Sequence, residues 1–118
     1  MEFDHHTLVI LMLRPDAPAQ SPQDAGSLQD AHLAFIAEQV DAGHILAAGP
    51  PVDQDDETLR GLSLWSVDAD SARQLAATDP AVLAGRLAVQ VSTWMVPAGQ
   101  VRFERVRVPR SIADALGP

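Results

Sequence analysis

The chain of 118 residues contains no cysteine, no lysine and no tyrosine. Without cysteine it can form neither disulfides nor zinc–thiolate sites, and it offers no thiolate nucleophile. No apolar run approaches the roughly 20 residues that a membrane-spanning helix requires. The first residues, MEFDHH, also lack the basic-then-apolar form of a secretory signal. We therefore expect a cytoplasmic protein without a membrane-spanning segment.

All eight basic residues are arginines, and 16 acidic residues outnumber them to give a formal net charge of -8. Because an acidic surface repels phosphate backbones, nucleic acid is not an expected partner. Residues 100–118 are the exception, with four arginines against Glu104 and Asp114. This basic extension is expected to dock on its own domain, to dock on a second copy of the chain, or to remain solvated.

The length corresponds to one domain, which we place at residues 1–99, with the extension at 100–118. Within the domain, Thr7–Leu13 is a continuous apolar run, TLVILML, bounded by polar residues. Its length and β-branched content predict a buried central strand.

A loop rich in proline and aspartate is predicted for Arg14–Gly26. A helix is expected to follow from about residue 28 to residue 42, because Ser27-Leu28-Gln29-Asp30 has the form of a capping box. Gly43 is placed to end this helix in the left-handed conformation.

The remaining apolar runs predict three more strands, at residues 45–48, 62–67 and 87–96. Asp70 is a plausible N-cap for a helix over 71–77, and a short helical turn is expected between Asp79-Pro80 and Gly85. The order β-α-β-β-α-β predicts an α+β ferredoxin-like fold with both helices on one face of an antiparallel sheet.

The first strand has no polar alternation, so both of its faces require burial. The helices cover only one face of the predicted sheet, and too few elements remain in the chain to cover the other. A homodimer is therefore predicted, in which a second copy supplies the cover. Residues 101–108 alternate without a clean apolar face, which is typical of an edge or exchanged strand or a partly ordered arm.

Several motifs in a fixed order resemble the YciI-like (YCII-related) family: a helical His32, the helix-ending Gly43, Ala48-Gly49-Pro50 after a strand, and Asp79-Pro80…Gly85 before the last strand. The resemblance spans roughly residues 5–98. It implies a dimeric α+β barrel with a His–Asp pair at a pocket between helix and sheet. One branch of the family removes chloride from a chlorinated hydroxyhydroquinone, and distant relatives on this fold isomerise muconolactones. Because tyrosine is absent, any family scheme that needs a phenol fails here.

His32 and Asp79 are therefore the candidate catalytic residues. A histidine side chain can take and return a proton near neutrality, and a carboxylate on its other ring nitrogen would orient it. Such a pair suits a lyase or isomerase step on a small hydroxylated cyclic compound, and no G-x-S-x-G motif indicates a serine hydrolase.

Structural interpretations of both residues remain open. His32 can be a hydrogen-bonded histidine at the border of the helix face, and Asp79 before Pro80 has the form of an ordinary N-cap. One carboxylate can also serve both purposes. The alternative function is a non-catalytic homodimer that binds a small molecule or acts as an accessory protein.

The candidate substrate-binding residues are Arg14, Gly49, Pro50 and Trp94. Arg14 can bind an anionic group bidentately or pair with Asp16 on the surface. Trp94 fits a core or dimer-interface position as well as a pocket wall.

No metal or cofactor is expected. Adjacent strand side chains point to opposite faces, so His5 and His6 are poorly placed to bind one ion. No nucleotide, flavin or haem motif occurs in the sequence.

Overall fold

The structure, a computed structural model, describes residues 1–117 of the chain. These residues form, in chain order, β1 (Phe3–Leu13), α1 (Pro22–Asp41), β2 (Ile45–Gly49), β3 (Leu59–Trp65), α2 (Ala69–Ala76), α3 (Pro80–Leu83), β4 (Leu87–Pro97) and α4 (Ile112–Leu116). Within this part of the chain, no helix is both long enough and apolar enough to cross a bilayer.

The four strands form one antiparallel sheet in the order β2-β3-β1-β4. β1 is a central strand, where Val9 is paired with Ser63 on one side and with Val91 on the other. This arrangement confirms the predicted α+β ferredoxin-like fold, the subunit fold of the dimeric α+β barrels.

The two faces of the sheet differ in how completely they are covered. On the helix side, Val9, Leu11, Ile45 and Trp65 pack with Ala72 and Ala76 into the core. Alternate residues point to the other face, where Leu8, Ile10 and Leu64 are half-buried and Leu62 and Trp94 keep 39% and 44% of their surface exposed.

The predicted start of α1 near residue 28 is wrong, because the helix begins at Pro22. Ser21 is the N-cap, and its Oγ accepts a hydrogen bond from the Asp24 amide at 3.1 Å. Serine at the N-cap followed by proline at N1 is itself a strong start signal, and it extends the helix over the predicted loop. The predicted end is confirmed, since Gly43 has φ of 81°.

Other boundaries also differ from the predictions. β1 begins at Phe3 rather than at Thr7, because residues 3–6 also pair with β4. α2 begins at Ala69 with Asp68 as its N-cap rather than Asp70, because the Asp68 carboxylate accepts the Ser71 amide at 2.7 Å. β3 spans Leu59–Trp65. It begins three residues earlier than predicted, because Leu59 also pairs with Met12 of β1.

The C-terminal segment, residues 100–117, contacts the domain of its own chain. Phe103 packs edge-on against the His6 ring with centroids 5.4 Å apart. Further along, Arg110 pairs with Asp41 at 2.8 Å, and the Ile112 amide donates to Asp30 at 2.8 Å. Residues 101–109 form no strand, so the C-terminal segment runs from its contact with β1 to its contacts with α1 without extending the sheet.

Candidate active site

His32 lies on the face of α1 that turns toward the sheet. Leu28, His32 and Ile36 are spaced four residues apart, which places them in one row along the helix. All three line a cavity between α1 and the sheet. This position explains why a polar imidazole lies between apolar side chains on the inner face of the helix. At His32 the helix borders a cavity rather than closely packed apolar side chains.

Asp79 approaches the same point from the junction of α2 and α3. It is the N-cap of α3, and its Oδ1 accepts the Ala81 amide at 2.9 Å. Its Oδ2 lies 2.6 Å from Nδ1 of His32, a residue 47 positions earlier in the chain. The capping and pairing interpretations are therefore both correct, because the two carboxylate oxygens make one contact each.

The contact between His32 and Asp79 is largely withdrawn from water. The Asp79 side chain is 2% exposed and the His32 side chain 17% exposed. A buried carboxylate is unfavourable unless hydrogen bonds satisfy it, and here the imidazole and the Ala81 amide do so. An ionised carboxylate only accepts hydrogen bonds, so it pairs with the His32 tautomer that carries the hydrogen on Nδ1 and leaves the lone pair on Nε2.

The cavity beside His32 is small and mostly apolar. Its volume is about 260 Å³, and the walls include Leu11, Leu33, Leu87, Val108 and Pro109. Pockets for drug-sized ligands enclose roughly 300–1,000 Å³, so this cavity suits a smaller compound such as a single substituted ring. Val108 and Pro109 come from the C-terminal segment, which therefore completes one wall.

The structure brings some of the candidate residues together and leaves others apart. Gly49 and Pro50 line the cavity with His32, and Asp79 lies directly behind the imidazole. Trp94 lies on the uncovered face of the sheet near His6, with ring centroids 6.1 Å apart. It is not part of the cavity wall beside His32.

Arg14 is also outside the cavity, in a bidentate surface pair. Its Nε and Nη2 donate to the two carboxylate oxygens of Asp16 at 2.8 and 3.0 Å. These hydrogen bonds and the guanidinium charge lower the pKa of the Asp16 carboxyl. The guanidinium of Arg14 is thus engaged on the surface, as the alternative interpretation proposed.

Two arginines in the cavity wall were not among the predicted site residues. Arg60 lies in β3, and Arg86 lies between α3 and β4. Arg86 directly follows Gly85, the last residue of the Asp79-Pro80…Gly85 motif, and this position is the signal that could have identified it. Among residues 1–117, no three His, Cys, Asp or Glu side chains form a cluster suited to hold a metal ion.

The fold and site together define an α+β-barrel-type domain with a histidine–carboxylate pair at a small cavity. The profile of the YCII-related domain matches residues 8–95, and the chain belongs to this family. The matched range ends before residues 100–117, so the C-terminal segment lies outside the family domain.

One solved structure that resembles the chain is "5-chloro-2-hydroxyhydroquinone dehydrochlorinase (TftG)" from Burkholderia phenoliruptrix AC1100, in complex with 2,5-dihydroxybenzoquinone. The two sequences are 26% identical, and the alignment covers 75% of this chain and 92% of that chain with a TM-score of 0.50. A search of curated proteins found no match to the chain.

Proposed function

We propose that this protein is an enzyme that catalyses an elimination or isomerisation of a small hydroxylated ring compound. His32 acts as the general acid/base and Asp79 orients it. The observation that carries the proposal is the 2.6 Å contact between His32 Nδ1 and Asp79 Oδ2 at the wall of a ring-sized cavity. The dehydrochlorinase named above supports this choice of substrate class, because its ligand is a hydroxylated six-membered ring.

Loss of hydrogen halide from a halogenated hydroxyquinol can proceed through proton transfers at one imidazole. Nε2 of His32 takes a hydroxyl proton, the oxygen forms a carbonyl, and the proton returns to the ring carbon that bears the halogen. A second conjugated hydroxyl then loses its proton, and the halide leaves with the carbon–halogen electron pair. The product is a hydroxyquinone, and the halide carries away the electron pair, so no external oxidant is needed.

Asp79 has two effects in this scheme. Its hydrogen bond to Nδ1 fixes the tautomer in which Nε2 is the basic nitrogen. Its negative charge also stabilises the imidazolium that forms when Nε2 takes a proton. An isomerisation uses the same steps without halide loss, since the proton removed from one position returns to another.

The proposal is tested by measuring chloride release from 5-chloro-2-hydroxyhydroquinone. We expect His32→Gln and Asp79→Asn to lower kcat/KM by roughly 10²- to 10⁴-fold, the usual contribution of a positioned acid/base group. His44→Gln is the matched control, because His44 is bound to Gln39 at 2.8 Å and does not line the cavity. Equal turnover by wild type and both site variants would refute the catalytic role. Binding of the compound with its recovery unchanged would favour the non-catalytic alternative.

We further propose that two copies form a homodimer through the uncovered face of the sheet. Leu8, Leu62 and Leu64 lie on this face, and their half-buried or exposed state supports the proposal, because exposed apolar patches mark interaction surfaces. In sedimentation experiments we expect a dimer for the wild type and a monomer for Leu64→Glu. Val52→Glu, in an exposed loop, should remain dimeric. A monomeric wild type at micromolar concentration would contradict the dimer.

A further inference from the structure

The residues that line the cavity include basic but no acidic side chains, although the protein as a whole is acidic. The chain has 16 acidic residues and eight arginines. The wall contains two of the arginines, Arg60 and Arg86, and none of the acidic residues. Because low-dielectric walls focus the field of their charges, the two arginines favour an anion in this cavity. The nearby Asp79 carboxylate does not line the cavity and is paired with His32 and the Ala81 amide.

Arg86 is held at the cavity by its backbone. Gly85 has φ of 77°, which allows the sharp turn from α3 into β4. The Arg86 amide then donates to the Ala81 carbonyl at 3.1 Å, and its own carbonyl accepts the Arg14 amide at 2.8 Å. Ala81 is the residue whose amide binds Asp79, so the same short turn positions both the carboxylate and the arginine.

The guanidinium groups of both arginines have unused donors. Within residues 1–117, Arg86 forms no ion pair and no side-chain hydrogen bond, although the residue is half-buried. Arg60 donates only through Nε, to the Glu57 carbonyl at 2.7 Å. A guanidinium carries five N–H donors, so most of the donors of each arginine are available to a ligand.

We propose that Arg60 and Arg86 form an anion-binding subsite that holds the negative charge that develops on the ring oxygens when His32 takes the hydroxyl proton, and that holds the ionised hydroxyquinone product. This inference rests on the proposed function and adds a ligand class to it, namely ring compounds that carry or develop an oxyanion, among them the hydroxyquinone product. In a hydroxyquinone, the hydroxyl is conjugated with a carbonyl, and the anion spreads its charge over two oxygens. Arginine binds such planar, two-oxygen anions strongly because its charged N–H groups form paired hydrogen bonds.

The inference is tested by calorimetric binding of two ligands of the same ring shape. 2,5-Dihydroxybenzoquinone is ionised at neutral pH, whereas 2,5-dimethoxybenzoquinone has no hydroxyl to ionise. We expect Arg86→Gln and Arg60→Gln each to weaken binding of the ionised ligand about 10-fold or more, as expected for loss of a hydrogen bond to a charged group. Binding of the neutral ligand should change by less than about 3-fold.

Arg73→Gln is the matched control, because Arg73 is an exposed arginine on α2 outside the cavity. It should leave both affinities unchanged, and thermal melting should show that all variants are folded. Equal weakening of both ligands would assign the arginines a packing role and overturn the inference. Unchanged affinity for the ionised ligand, or no binding of it to the wild type at millimolar concentration, would also overturn it.

The outcome is separable from that of the proposed function. Equilibrium binding requires no turnover, so the arginine variants can be scored even if His32→Gln leaves chloride release unchanged. Conversely, a large effect of His32→Gln on turnover can coexist with arginine variants that bind normally. In the first case, the protein would bind anionic rings without the proposed acid/base catalysis. In the second case, it would be an acid/base enzyme that binds its substrate without the two arginines.

Discussion

Two walls of the cavity come from different parts of the chain: the domain wall contains His32, and the C-terminal wall is formed by Val108 and Pro109. A pair of ionisable side chains lies at or near each wall. The His32–Asp79 pair, at 2.6 Å, has side chains that are 17% and 2% exposed. The Arg110–Asp41 pair, at 2.8 Å, has side chains that are 53% and 57% exposed. The distances are similar, but only the first pair is withdrawn from water.

This difference decides what each pair can do. An exposed ion pair contributes roughly 0–1 kcal/mol, because water and salt screen it. A buried carboxylate, by contrast, must keep its partners, since removing them leaves polar groups without hydrogen bonds. The domain wall should therefore be rigid, whereas the C-terminal wall should be removable without unfolding the domain.

The largest expected effect is on the domain wall. Asp79→Ala removes the N-cap of α3 and the acceptor of His32, leaving the Ala81 amide unsatisfied. We expect the free energy of unfolding, measured in urea, to fall by roughly 2–4 kcal/mol. Asp68→Ala, which removes the exposed N-cap of α2, should have a clearly smaller effect. Equal losses of stability for the two variants would contradict the claim that the buried carboxylate contributes more than the exposed one.

A smaller effect is expected from removing the C-terminal wall. Deleting residues 107–118 takes away Val108 and Pro109 but retains Phe103 against His6. Loss of apolar contact should weaken binding of 2,5-dihydroxybenzoquinone about 3- to 10-fold, as a modest loss of buried area predicts. The melting temperature should change little. Tighter binding after deletion would mean that the segment obstructs the cavity instead of completing it.

The smallest effect concerns pH and the contacts within the C-terminal segment. Hydrogen bonds from the Arg107 side chain and the Arg110 amide lower the pKa of the Asp114 carboxyl. A lowered pKa in the folded state means that these contacts stabilise the folded form of the segment above the ordinary aspartate range. This stabilisation is lost as pH falls through the lowered pKa. NMR titration of the Asp114 carboxyl should show this low pKa, and an ordinary or raised value would contradict these contacts.

The sequence predicted the fold because hydrophobic periodicity reports which faces of strands and helices are buried. The order of elements was accessible in this way. The left-handed Gly43 and the cap at Asp79 were accessible from the residue types that end and begin helices. The start of α1 was predicted wrongly, because Ser21-Pro22 and Ser27 are both valid start signals and the prediction used the later one. Two local signals of this kind, six residues apart, do not by themselves show where a helix begins.

The site was predicted less completely than the fold. Family motifs identified His32 and Asp79, whose contact joins segments 47 residues apart. Arg60 and Arg86 were missed because no local pattern tells whether a long side chain enters a cavity or water. Arg14 shows the converse, since its neighbour Asp16 binds it at the surface. The direction of a flexible side chain depends on tertiary partners that the linear pattern does not specify.

The most direct test of the central claim is a double-mutant cycle on chloride release with His32→Gln, Asp79→Asn and the combined variant. If the imidazole and the carboxylate act as one unit, Asp79→Asn has little left to remove once His32 is replaced. The combined variant should then have a kcat/KM within about 2-fold of His32→Gln alone. Losses that multiply in the combined variant, or turnover that none of the substitutions changes, would contradict the account.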